Sequence, residues 1–257
     1  MSLRKTTIGL VLFATLNIVG CALPEQAPKE PLKPASFDYV PPATASAGNA
    51  GMKIILVNPS YASDFEGSGV EPYVSFGSSM ANDFEEVLSA RGYTVYGPYE
   101  TYDEIVYSEK EIADLVLLID IDMDQSHSME RRQQATLAGL LGGANNPNST
   151  VYKLDGSMRI TGKLTMKARE PQSGEQMWVK SVEIPPKQYN VTSQDAWSAT
   201  AIASNQHYND AGIFNPTVDT LQGVYNDSLA KAYTYLDPRE LQQLRPQIDR
   251  IKKRIRY

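Results

Sequence analysis

The chain has 257 residues, 24 basic and 30 acidic, a formal net charge of −6 and one cysteine. An acidic balance excludes a general nucleic-acid surface, which needs clustered positive charge. A lone cysteine excludes an intrachain disulfide and a zinc–thiolate cluster.

Arg4-Lys5 precede the apolar run Ile8–Val19, twelve residues long. A spanning helix takes about 20 apolar residues, so this run reads as the core of a signal peptide. It closes on Ile18-Val19-Gly20-Cys21, an arrangement that resembles a bacterial lipobox. Small residues before the cysteine suit a peptidase cleft, and only a thiol becomes the lipid thioether. Residues 1–20 are then processing signal and Cys21 the lipidation site. Removing Arg4 and Lys5 from the 24 basic residues leaves 22 against 30 acidic ones in the mature chain. By the sorting pattern of lipoproteins, Ala22 after the cysteine implies the outer membrane.

Residues 22–51 are rich in proline, alanine and charge, without apolar periodicity. They predict a disordered, polyproline-like linker that holds the fold off the membrane, with a single globular α/β domain over 52–257. Met52–Asn58 is a continuous apolar run, the mark of a buried central strand. Phe76, Met80, Phe84, Val87 and Leu88 form one stripe of a helix over 74–91, closed at Arg91-Gly92. A short strand at 93–96, a short helix at 102–113 and an apolar strand at 114–123 complete a strand-helix-strand-helix-strand start. That order predicts a mixed sheet covered by helices.

The spacing predicts a helix over Gln133–Leu141 and a loop at Gly142–Pro147. From Leu154 to Arg169 apolar and polar residues alternate, the period of a strand with one buried face. Pro171–Gly174 turns it into an antiparallel hairpin with Gln176–Ile184, and Pro185-Pro186 should end the ladder. Residues 187–214 are a polar-aromatic insertion with a short helix near Asp195–Ala203. Asn215-Pro216 should open a long C-terminal helix with Val218, Leu221, Tyr225, Leu229, Ala232, Tyr233 and Leu236 inward. Helix restarts follow at Asp237-Pro238 and at Pro246, and Arg250–Tyr257 forms a basic tail.

The runs KIILVNPSY, LSARGYTV, ADLVLLIDI, KLTMKAREPQSGEQ and NDSLAKAYTYL, with the lipobox, resemble the neuraminyllactose-binding hemagglutinin lipoproteins of Helicobacter. The resemblance covers residues 52–255 and implies an adhesin-like, lipid-anchored outer-membrane protein. The strand-helix order is also similar to the curli-secretion lipoprotein and to the N-terminal domain of the Tol translocation protein, which concerns fold more than function. In the hemagglutinins a basic K-R-T-I-Q-K segment is the sialic-acid candidate. The matching stretch here is Glu130–Ala135, in which Arg132 and Gln134 fit the pattern.

Asp120, Asp122 and Asp124 alternate at the end of the third strand, but the residues that follow lack the glycine and glutamate of a calcium loop. His127 and His207 are the two histidines. With no G-x-S-x-G elbow, Walker loop or dinucleotide fingerprint beside them, no enzyme, metal or cofactor is expected. Recognition is expected in the segments the core does not need, with Arg131, Arg132, Trp197 and Tyr208 as contacts. The expected partners are the outer membrane through Cys21 and either a glycan ligand or protein partners in an envelope-spanning assembly. A homo-oligomer is compatible with either, and nucleic acid is not a partner.

Overall fold

A computed structural model describes residues 29–42, 50–62, 65, 67–135 and 150–255. Cys21 and the Gly142–Pro147 loop lie outside the described residues.

The core begins with β1 (Lys53–Val57), whose Ile54, Ile55 and Leu56 are all buried, as a strand covered on both faces must be. β3 (Thr94–Tyr99) and β4 (Leu115–Ala135) flank β1 in parallel, and β2 (Ser60–Tyr61) extends the parallel pairing along β4. β5 (Thr150–Arg169) runs antiparallel to β4 over its whole length, and β6 (Gln176–Thr192) antiparallel to β5. β7 (Trp197–Ser198) adds a short pairing at the start of β5. The sheet order β3-β1-β4-β5-β6 confirms the mixed α/β architecture with its antiparallel hairpin.

Helix α1 (Tyr73–Ala90) buries the expected stripe, with Phe76, Met80, Phe84, Val87 and Leu88 fully inaccessible. The long C-terminal helix α4 (Ala211–Tyr235) lies beside it and inserts Leu221, Tyr225, Leu229 and Ala232 into the same core. Each such side chain contributes on the order of 1.5–3 kcal/mol by leaving water. A smaller cluster of Ile55, Val57, Ile105, Ala113 and Val116 fills the other face, where α2 (Tyr107–Ile112) and the turn before it cross. α3 (Ala199–Ala203) belongs to the insertion, and α5 (Pro238–Gln242) and α6 (Arg245–Ile255) close the chain.

Four expectations are corrected. First, residues 29–42 are not a free linker. The Lys33 amide donates to Asn215 Oδ1 at 2.8 Å, Lys33 Nζ reaches Asp219 at 2.6 Å, and the Tyr39 amide donates to Asp83 at 2.9 Å. Phe37 is 4% exposed and sits 5.5 Å from the Phe76 ring and 5.4 Å from Tyr225. One aromatic island in a proline-rich run is enough to dock a segment that has no periodicity of its own.

Second, the third strand does not stop near Met123, and Gln133–Ala135 are not helical. Both belong to β4, whose pairing with β5 continues to Ala135↔Thr150. Third, Pro185-Pro186 do not end the ladder. They oppose Thr161 as an extra residue between the pairs Gly162↔Ile184 and Ile160↔Lys187. β6 is an edge strand there, so the missing donors cost nothing, and the bulge shifts the side-chain parity. Before it Trp178, Val182 and Ile184 face inward; after it Val191 does, and Tyr189 packs against the core. Fourth, α4 opens at Ala211 with Asp210 as its cap, and Pro216 lies inside the helix.

Candidate functional site

Strand β4 runs past the end of the core. Its odd residues, which cover the core up to Met123, continue as Gln125, His127, Met129 and Arg131 on the same face. The insertion 193–210 folds over this extension and leaves a cleft of about 570 Å³. One wall is β4 with Leu154 of β5, and the other is Ile202, Ala203, Asn205, His207 and Tyr208, with Phe65 and Gly67 at the rim.

Asp210 fastens the second wall. It is 3% exposed, and its two oxygens accept four N–H groups. Oδ1 takes the amides of Gln194 at 2.7 Å and Gly212 at 2.9 Å; Oδ2 takes the Asp195 amide at 2.7 Å and Trp197 Nε1 at 3.2 Å. The first residue of a helix is thus tied to the loop that precedes it. Sequence reasoning passed over Asp210; an acid directly ahead of an apolar helical stripe was the signal available.

At the floor the Tyr73 hydroxyl donates to Gln125 Oε1, and Gln125 Nε2 donates to Tyr208 Oη at 3.2 Å. Burial, and then the neighbouring Tyr189 and Tyr208 hydroxyls, hold the Tyr73 phenol well above its ordinary range. Burial likewise pushes Tyr189 up to about 12. These phenols stay protonated and serve as donors.

His207 is 3% exposed, stacks 4.4 Å from the Tyr208 ring, and its Nδ1 has no partner among the described residues. Burial lowers its proton affinity first, and the nearby His127 and Arg131 lower it further, against a smaller pull from Asp210. A depressed folded-state pKa means that the unfolded chain binds the proton more readily. Stability is therefore full above the ordinary histidine pKa and is lost as pH falls from there through the folded value. His207→Gln should flatten the fall in the urea midpoint between pH 7.5 and 5, and an unchanged slope in the variant would contradict this assignment.

The expected contacts separate. Arg131 and Tyr208 line the cleft. Arg132, the next residue along the strand, points to the opposite face and pairs with Asp155 at 3.0 Å. Trp197 is no free contact: it donates to Asp210 and packs on the cluster of Leu154, Met158, Val191 and Ile213. Asp120 and Asp122 pair across the strand with Lys167 and Lys163, the latter at 3.2 Å. Among the described residues no group of three or more metal-ligating side chains comes together.

The basic C-terminal helix packs at the other end of the sheet, where Lys252 donates to the Ala113 carbonyl at 2.6 Å. Among the described residues, no helix is long and apolar enough to cross a membrane.

No protein-family model matches the chain, and no curated protein matches it. Solved structures do. A neuraminyllactose-binding hemagglutinin homologue from Helicobacter pylori superposes at a TM-score of 0.55 and 13% identity, covering 85% of this chain and 99% of that one. A Neisseria meningitidis lipoprotein matches at 0.29 and 15%, over 62% of this chain and 99% of that one. A minor lipoprotein from Acinetobacter baumannii matches at 0.27 and 9%, over 72% and 92%. At these identities the likeness is one of architecture, and this chain has the fold of the Helicobacter hemagglutinin homologue.

Proposed function

We propose that the chain is a lipid-anchored bacterial envelope lipoprotein of the outer membrane, without catalytic activity, whose cleft binds an acidic ligand in an adhesin-like manner. The observation that carries the binding reading is the group of Arg131, His127 and His207 in one cleft, with His207 Nδ1 buried and unpartnered among the described residues. A carboxylate or phosphate entering there gains a guanidinium fork and relieves an orphaned ring nitrogen. The lipobox at Cys21 supports the anchor. The shared architecture with a protein named for neuraminyllactose makes an acidic sugar the ligand to try first.

The test is calorimetric titration of the mature domain with neuraminyllactose and with neutral lactose. The acidic sugar should bind and the neutral one should not. Arg131→Ala should weaken binding about 10–100-fold, the loss expected when a charged hydrogen-bond donor is removed, while Arg132→Ala leaves it unchanged. Equal binding of both sugars, or indifference to Arg131→Ala, would remove the assignment. Cys21→Ser should abolish labelling by a palmitate analogue, and retained label would refute the anchor.

A second reading, a structural subunit of an envelope assembly, is favoured by the outer edge of β4. Beyond its pairing with β2 at Ile121, that edge has no strand partner among the described residues. Open edges accept an added strand from another protein.

A further inference from the structure

The docked segment 29–42 determines which end of the domain faces the membrane, and this rests on the reading of Cys21 as the lipid-bearing residue. The segment enters at the cleft end. Lys29 pairs with Asp195 at the root of the insertion, and the Glu30 amide donates to Gln194 Oε1 at 3.1 Å. Asn215 Nδ2, at the start of α4, donates to Glu30 Oε1 at 3.1 Å and to the Pro31 carbonyl at 3.0 Å. From there the segment follows α4 to Lys33–Asp219 and on to the Phe37 pocket. The chain reappears at the opposite end, where the Ala50 amide donates to the Gly92 carbonyl at 2.8 Å and Gln242 Nε2 donates to the Ala50 carbonyl at 2.7 Å.

Cys21 is separated from the first fastened residue, Lys29, by eight peptide steps, which span at most about 28 Å when fully extended. A free linker through Gly51 would have reached roughly 100 Å on the same measure. α4 alone, 25 residues, is about 37 Å long. The tether is thus shorter than the domain, and it leaves from the cleft end.

We propose that the domain stands on its own membrane with the cleft end, formed by the insertion and the β4–β5 extension, facing the bilayer that holds the Cys21 lipid. The basic helix α6 then points away. The ligand of the cleft is accordingly a component of that membrane surface and not one presented by a distant cell.

The two tryptophans report the two ends. Trp197 pairs near Tyr152 and Trp178 near Ala168, sixteen residues apart along β5 and so about 50 Å apart. The lipidated chain, as Trp178→Phe or as Trp197→Phe, is placed on phosphatidylethanolamine–phosphatidylglycerol vesicles carrying a dansyl-headgroup acceptor. Energy transfer should be several-fold greater from Trp197 than from Trp178. Equal or reversed transfer would overturn the orientation. In Lys33→Glu/Phe37→Ala the fastening is lost and the two efficiencies should converge; an undiminished difference would show that the segment does not set the orientation.

Flotation with the vesicles reads the anchor separately. If the expressed chain does not float, the lipid reading fails. The orientation is then measured on the chain from Cys21 onward, coupled through its one thiol to a maleimide lipid, with the same two outcomes.

Discussion

Asp210→Ala should cost about 4 kcal/mol, the largest loss of any single polar replacement in the domain. Hydrogen bonds to a charged group contribute about 1.5–3 kcal/mol each, and a helix cap about 1 kcal/mol; the sum is reduced because the four donors share one carboxylate. The change leaves the amides of Gln194, Asp195 and Gly212 and the Trp197 indole without their acceptor in a site closed to water. Asp210→Asn keeps an oxygen for two of them and should lose about half as much, on the same scale. The urea midpoint of the mature domain measures both. Hydrogen exchange should locate the damage at residues 193–212, with α1 and β1 protected as before. A loss below about 1 kcal/mol for the alanine variant would mean that the insertion is held by its apolar contacts alone.

Phe37→Ala should destabilise the domain by about 3 kcal/mol, the lower end of the range for removing a buried phenylalanine. Phe37 lies outside any regular element, yet its ring fills the space between Phe76 and Tyr225, which are themselves 5.3 Å apart. Beneath it Asp83 accepts the Tyr225 hydroxyl at 2.6 Å and the Tyr39 amide at 2.9 Å, so the segment also satisfies a buried carboxylate. Burial raises the Asp83 pKa, which Tyr225 and Tyr39 partly offset. The variant should become sensitive to trypsin at Lys33 while the rest of the chain resists. If Phe37→Ala melts like the parent, the segment is a passive tether and the membrane orientation drawn from it falls as well.

Residues whose periodicity buries a face could be placed from the sequence. Ile54–Leu56, the Phe76–Leu88 stripe, the Met158–Ala168 alternation and the Leu221–Leu236 stripe are core because a local repeat aligns each with one interior. The turn at Pro171–Gly174 was legible because its residues favour that backbone. Of the proposed contacts, strand parity alone divides Arg131 from Arg132. That division needed β4 to continue as a strand through 131 and 132, where polar residues hide the repeat.

Local pattern in this chain specified the α/β class, the strand-helix order, the hairpin and the two core helices, since each depends on side chains within a few residues of one another. Tertiary structure alone decided three things: the docking of residues 29–42, the role of Asp210, and the cleft that gathers Arg131, His127, His207 and Tyr208. In each case the partners lie far apart in sequence: Tyr39 and Asp83 by 44 residues, Lys33 and Asn215 by 182, and Gln125 and Tyr208 by 83. A contact between distant residues leaves no period in either segment. It exists only once the sheet and α4 have brought both ends to one place, where burial makes an unpaired polar group costly and a paired one specific.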